Sequence, residues 1–259
     1  MEYAYLSSTV SIKTVSEDIK NGVFEMEGLF AGYGRTVGNA LRRALLSSLP
    51  GAAVTEIKIK GVPHEFSTLP GLKEDVVELA LNFKKLRFRL HVDEPQVLSL
   101  KVKGERSVTA GDIELNSNVE LINPEEVIGT LTAKDGELDM EVRVERGLGY
   151  VPVEARKTDG RLPIGTIAVD AIFTPVIKVD YTVEDMRVGD RTDYNRLRID
   201  ITTDGTISPS SALHKAANIL KDHFEKVGSV TVAEFDAPKA EKRASAEPKK
   251  RAVKSKKSA

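Results

Sequence analysis

The sequence predicts an α+β fold. Three stretches, 36–49, 71–86 and 208–228, carry apolar residues at helical spacing. Between the second and third, residues 86–170 alternate apolar and polar side chains. Turn residues break this block about every 8–12 positions, the mark of a β-rich unit. At 259 residues, 41% hydrophobic and 30% charged, the chain is long enough for one large domain or two moderate ones, each with a core.

Each element has a local reason. Residues 3–30 alternate loosely, and Val23, Phe24, Met26, Leu29 and Phe30 read as strand with a bend at Gly28. Thr36 is the expected N-cap of the first helix, whose apolar positions are Val37, Ala40, Leu41, Ala44, Leu45 and Leu49; Pro50-Gly51 stops it. AVTEIKIKGV (53–62) sets Val54, Glu56 and Lys58 against Thr55, Ile57 and Ile59, a strand with one buried face. GLKEDVVELALNFKKL (71–86) is the second helix, with Glu74 and Asp75 in its first turn and Lys84 and Lys85 near its last, as the helix dipole favours. LRFRLHV and VLSLKVKG alternate as strands, and LTAKDGELDMEVRV reads as a hairpin closed by a type I′ turn at Asp135-Gly136. From 167, IAVDAIFTPVIKVDYTV and RLRIDITTDGTI are long strands. Ser208 caps the last helix and Pro209 takes its first position, where a missing N–H is harmless. Leu213, Ala216, Ala217, Leu220, Phe224 and Val227 form its stripe, and Gly228 ends it. Residues 233–259 are expected to be a disordered basic tail, since 236–259 hold no large apolar residue but Val253.

Composition removes several function classes. There is no cysteine, so disulfides, Cys-bound zinc, iron–sulfur clusters and thiol nucleophiles are absent. The four histidines, 64, 91, 214 and 223, are scattered, and no carboxylate cluster suited to paired metal ions stands out. No metal site and no catalytic constellation is therefore expected. The first residues lack a signal-peptide pattern, and no apolar run reaches the roughly 18–20 residues of a membrane span. The expectation is a cytoplasmic protein with no membrane association. Net charge is −1, but residues 236–259 carry nine Lys/Arg and three Asp/Glu, a net +6. The rest, with 29 basic and 36 acidic residues, is −7, a poor match for DNA.

One stretch asks for a functional reading: AGYGRTVGNALRRALLSSLPG, residues 31–51. A dinucleotide loop needs G-x-G-x-x-G, but after Gly32 and Gly34 the last position is Val37 and the glycine comes one later. Gly32 and Gly34 are read instead as a tight turn, one of them at positive φ. With Val37 at 0° on a wheel of about 100° per residue, Arg42 falls near 140°, Leu46 near 180° and Arg43 near 240°, away from the apolar stripe. An apolar side chain bracketed by two guanidiniums has two readings: solvated surface, or a second buried face that meets a protein partner. The last helix raises the same pair, because Ala212 and Ile219 widen its apolar arc.

GYGRTVGNALRRALLSSLPGAAVTEIKIKGVPHEFSTLPGLKEDVVELALNFKKL, ERGLGYVPVEA, PIGTIAVDAIFTPVIKVDYTVEDMRVGDRTDYNRLRIDITTDGTISP and ALHKAANILKDHF together resemble the N-terminal region of the bacterial RNA polymerase α-subunit family. The likeness runs from about residue 5 to 232. It implies a discontinuous dimerisation domain, 1–50 with 172–232, built as an antiparallel sheet with two long helices. It further implies a β-rich insert at 51–171. Two copies homodimerise in this family through the helix after the glycine turn and the last helix, here Val37, Leu41, Leu45, Leu213, Leu220 and Phe224. The dimer then receives β and β′, with ω and σ in the assembled enzyme; phosphoryl transfer occurs on β and β′, and no cofactor is implied on this chain. The second Arg of N-A-L-R-R recruits β, which points to Arg43 with Arg42 and Leu46. The R-T-D segment, Arg191, Thr192 and Asp193, lies on the family's assembly surface.

The family usually continues into a small DNA-contacting helical domain, whereas this sequence stops in its basic tail. The expectation is a naturally short chain whose tail touches DNA at most weakly and without sequence preference. Two rivals remain: a nucleotide-binding enzyme using Gly32–Gly38, and a heterodimerising archaeal- or eukaryotic-type relative.

Overall fold

Two antiparallel sheets organise the chain in a computed structural model that describes residues 9–156 and 165–230. β1 (Ser11–Glu17) and β2 (Asn21–Leu29) lead through Gly32 into α1 (Tyr33–Ser47), and the chain leaves along β3 (Pro50–Ile59). α2 (Val76–Phe83) is followed by β4 (Phe88–Leu90), β5 (Gln96–Lys103), β6 (Arg106–Thr109), β7 (Ile113–Glu114), β8 (Val119–Leu121), β9 (Val127–Leu131) and the long β10 (Glu137–Leu148). β11 (Tyr150–Val151), α3 (Val153–Arg156), β12 (Thr166–Ala168) and β13 (Ala171–Ile172) return it to the paired β14 (Val176–Val188) and β15 (Arg191–Thr203), and α4 (Pro209–Gly228) follows. The expected tail at 233–259 lies outside the described residues.

The first sheet has the order β1-β2-β15-β14. Alternation sends Phe24 and Met26 of β2 and Leu197, Ile199 and Ile201 of β15 to one side, where Leu41, Ala44 and Leu45 of α1 and Ala212, Leu213 and Ala216 of α4 cover them. The opposite face is ion-paired: Glu27 takes Lys13 at 2.6 Å and Arg196 at 3.1 Å, and Glu25 takes Arg198 at 3.5 Å. α4 begins as expected, with Ser208 accepting the Ser211 N–H at 3.3 Å and Pro209 next.

The second core gathers Ile57 and Ile59 of β3, Val76, Leu79 and Phe83 of α2, and Leu138, Met140, Val142 and Val144 of β10. Val54 joins the same core as Ile57 because the register slips between Arg143 and Val144, which makes Thr55 a bulge and breaks the expected strict alternation. α2 is shorter than its pattern. Asp75 is its N-cap, accepting the Glu78 N–H at 2.7 Å, while Glu74 lies outside and takes the Thr130 N–H at 2.6 Å.

Two further expectations are corrected. No hairpin forms at Asp135-Gly136: β9 pairs with β6, and β10 pairs with β3 and β5. Neither turn residue has positive φ, so a type I′ turn is absent, and the segment carries the chain from one sheet to the next. The stretch from 167 is not one strand but β12, β13 and β14. Asp170 interrupts it, with its carboxylate accepting the Val153 N–H at 3.0 Å and the Lys84 ammonium at 3.2 Å, and Pro175 removes a ladder donor.

The two sheets meet at a tight joint. Phe173 lies with its ring 2.6 Å from where a Cβ on Gly147 would stand, and its carbonyl fills the space beside Gly51. Arg89 donates to the Thr206 carbonyl at 2.8 Å, and Arg87 lies 3.7 Å from the Asp204 carboxylate.

Several carboxyls are held below their usual range: Asp170 by the Val153 N–H and then Lys84, Glu27 by Lys13, Asp18 by the Asn21 N–H, and Asp193 by Arg191. A depressed folded value stabilises fully above the unfolded value, about pH 4, and that stabilisation is lost as pH falls through the folded values. Thermal melts should therefore be nearly flat from about pH 7 to 5 and fall steeply below about pH 4. A midpoint unchanged at about pH 3 would contradict this assignment.

Candidate functional site

The glycine entry to α1 is closed from within. Gly32 has φ 83° and is the cap residue, so the helix starts at Tyr33, and Thr36 lies inside it rather than at its N-cap. The Gly32 and Gly34 N–H groups donate to Asn195 Oδ1 at 2.9 and 3.4 Å. These are the donors a phosphate cradle would offer, and a side chain already holds them. Asn195, 6% exposed, donates in turn to Asp185 Oδ1 at 3.0 Å. Gly34 is not a turn glycine. It is helical and buried, and a Cβ there would stand 2.7 Å from Val183 Cγ1.

Sequence reasoning passed over Asn195. Its only local signal is an amide at an inward position of β15, in register with Leu197 and Ile199. Asn195→Ala removes the cap and leaves Asp185 without its donor, an expected loss of about 1–3 kcal/mol. Asn195→Asp should fail to rescue, because it sets two carboxylates side by side. Chemical denaturation of the three proteins checks both expectations.

The outer face of α1 carries the charge. Arg43 is exposed, and Arg42 donates to Asn39 Oδ1 at 3.2 Å. Leu46 is half-buried; it packs on the first core, and its carbonyl accepts from Thr174 at 3.4 Å. The helix contains no Asp or Glu. Among the described residues, every arginine outside α1 is ion-paired to a carboxylate except Arg156, whose guanidinium donates to the Thr55 and Val169 carbonyls. Arg35, Arg42 and Arg43 have no such carboxylate among the described residues.

Arg191 and Asp193 sit at the other end of α1. Arg191 forks onto Asp193 at 3.0 and 2.7 Å, and its guanidinium lies 5.1 Å from the Phe30 ring centroid and 5.4 Å from that of Tyr194. Tyr33 meets Phe30 edge-on at 6.5 Å, which ties this cluster to the first turn of the helix. Thr192 is exposed beside it.

The apolar residues assigned to a dimer face divide into two groups. Leu41, Leu45 and Leu213, at 5%, 0% and 8% exposure, belong to the chain's own core and offer a partner little surface. Val37 and Leu220 are half-buried, and Phe224 is 65% exposed with Val227 at 66% close by. Ala217, expected in the core stripe, is exposed.

Among the described residues no group of three His, Asp or Glu is placed to share a metal ion. No described helix is long and apolar enough to cross a membrane.

Comparison with known proteins fits this architecture. Residues 57–174 match the RNA polymerase Rpb3/RpoA insert domain. The chain is 52% identical over 222 residues to the DNA-directed RNA polymerase subunit alpha of Symbiobacterium thermophilum, covering 85% of this chain and 70% of that one. It is 51% identical over 227 residues to the same subunit of a Roseiflexus species, covering 88% and 67%. With that of Roseiflexus castenholzii the identity is 49% over 239 residues, covering 92% and 71%. The chain belongs to the family of bacterial DNA-directed RNA polymerase alpha subunits.

Proposed function

We propose that the chain homodimerises and forms the platform on which β and β′ assemble into core RNA polymerase for DNA-templated transcription. One observation carries this reading. A chain that pairs nearly all its other described arginines with its own carboxylates leaves three guanidiniums of α1 with none among the described residues, on one outward face. Arginine in that position fits a partner's carboxylates, because its planar fork binds them in pairs. Arg43, with Arg42 and Leu46 beside it, is the seat for β. Arg191, Thr192 and Asp193 form a second assembly surface, which offers stacked rings more than free charge.

The dimer face consists of Val37, Leu220 and Phe224, extended by Val227. A helix end with Phe and Val bare on successive turns is costly to leave in water. Residues 1–50 with 172–232 form the dimerisation domain and 51–171 the insert, a division supported by the two separate cores. On this reading the chemistry of polymerisation belongs to β and β′, and the enzyme works in the cytoplasm.

Light scattering on the purified chain, alone and after stepwise addition of β and then β′, tests the proposal. The expected masses are a dimer, then a dimer holding one β, then the full core. A monomer at about micromolar concentration, or a dimer that does not retain β, refutes it.

A further inference from the structure

The outer face of α1 does not end at Leu46. Its last turn abuts the corner between β10 and β11, where a Cβ on Gly149 would stand 3.9 Å from the Ser47 carbonyl oxygen. The Phe173 N–H donates to the Gly149 carbonyl at 2.8 Å, fixing that corner to the chain that returns to the first sheet. Gly149 has φ 64°, a conformation other residues rarely adopt, so the turn is built into the sequence.

Just beyond it, β11 and β13 form a two-stranded ribbon with Tyr150 opposite Ile172 and Val151 opposite Ala171. Val151 and Ala171 face inward onto Phe173 and Ala53. The other face of the ribbon leaves apolar surface exposed: Tyr150, whose hydroxyl hydrogen-bonds the Asp170 carboxylate, is 58% exposed and Ile172 38%, and Leu148 before the turn is 57% exposed. A ribbon face meant for water would carry polar residues at these alternate positions. Three bulky side chains, each with exposed apolar surface, thus stand at a glycine-fixed corner beside the last turn of a helix whose guanidiniums have no carboxylate among the described residues.

We propose that this surface docks β in two parts: a cationic strip of Arg35, Arg42 and Arg43, and an apolar platform of Leu148, Tyr150 and Ile172. The inference rests on the reading that β is the partner of Arg43. Arg35 precedes Arg42 by two helical turns on nearly the same side, about 10 Å along the axis. The occupant is therefore a β segment with carboxylates spread over about that length and a large apolar side chain that lands on the Tyr150–Ile172 pair. Charge argues for this occupant: α1 offers guanidiniums and no acid, so its complement is acidic.

The test measures the affinity of the full chain for purified β at low and high salt. The variants are Arg35→Ala, the double variant Tyr150→Ser/Ile172→Ser, and Arg43→Ala for reference. The double variant should bind about 30-fold more weakly with the wild-type salt dependence. Arg35→Ala should bind several-fold more weakly and lose part of that dependence. Each should keep the wild-type mass and melting temperature; if the double variant melts early, Leu148→Gln takes its place. Wild-type affinity for the platform variants, with Arg43→Ala failing to bind, overturns the two-part surface and leaves docking at Arg43 standing. Wild-type affinity for Arg43→Ala as well overturns the docking reading itself. An Arg35→Ala protein with unchanged affinity and salt dependence overturns the cationic strip as drawn.

Discussion

Gly38→Val is expected to lower the stability of the chain by about 3 kcal/mol, the upper part of the range for overpacked cores. Gly38 is buried where α1 crosses the first sheet, and a Cβ there would stand 2.7 Å from Tyr181 Cδ2 and 2.9 Å from Leu197 Cδ1. Leu197 has no exposed surface and cannot swing away. Removing a helical glycine returns about 1 kcal/mol of propensity at best, and valine gains less than alanine because it is β-branched. The steric term therefore wins. For a chain of this size the midpoint should fall by roughly 6–12 °C, and calorimetry decides the matter. Gly38→Ala should show the two terms nearly balanced; a valine variant as stable as wild type would mean that α1 can ride higher on the sheet than its packing shows.

Arg43→Glu is expected to act on binding alone. The residue is exposed, no ion pair holds it among the described residues, and exposed substitutions of this kind usually stay within about 0.5 kcal/mol. Melting temperature and dimer mass should not move. Binding of β should fall about 100-fold or more, since the reversal removes a guanidinium and adds a like charge facing the partner's carboxylates. Pull-down and titration with purified β read this directly. A variant that unfolds, or one that binds normally, would each remove Arg43 from its assigned role.

Local chemistry was legible in the sequence and long-range pairing was not. Ser208-Pro209 is a cap and a first-turn proline whatever surrounds it, and α4 starts there. The strict alternation of β15 from Asn195 to Thr203 likewise needs only a covered face. By contrast, the start of α1 is set by Asn195, 161 positions beyond Gly34 in the chain, so Thr36, the cap that local pattern suggests, lies inside the helix. Asp135-Gly136 has the composition of a hairpin turn, but β9 finds β6, and no local pattern reports that choice. At the candidate site, the wheel placed Arg43 on the outside, as the structure does. The wheel puts Leu46 there too, but the chain returns near residue 174 and Leu46 is half-buried. Which apolar residues of α1 and α4 stay available depends on what the chain's own core consumes. Leu45 and Phe224 read alike in sequence and end at 0% and 65% exposure.

The joint between the sheets has a mechanical consequence. The chain crosses it twice, outward at Pro50-Gly51 and back at Phe173-Thr174, and the Phe173 carbonyl lies against Gly51. A single connecting strand is a swivel, whereas two strands in contact form a stiff hinge plate. The Arg89 and Arg87 contacts to the Asp204–Thr206 turn brace that plate from the side. Turning one sheet against the other therefore has to part Phe173 from Gly51 and break the Arg89–Thr206 hydrogen bond, so free rotation at the joint is opposed.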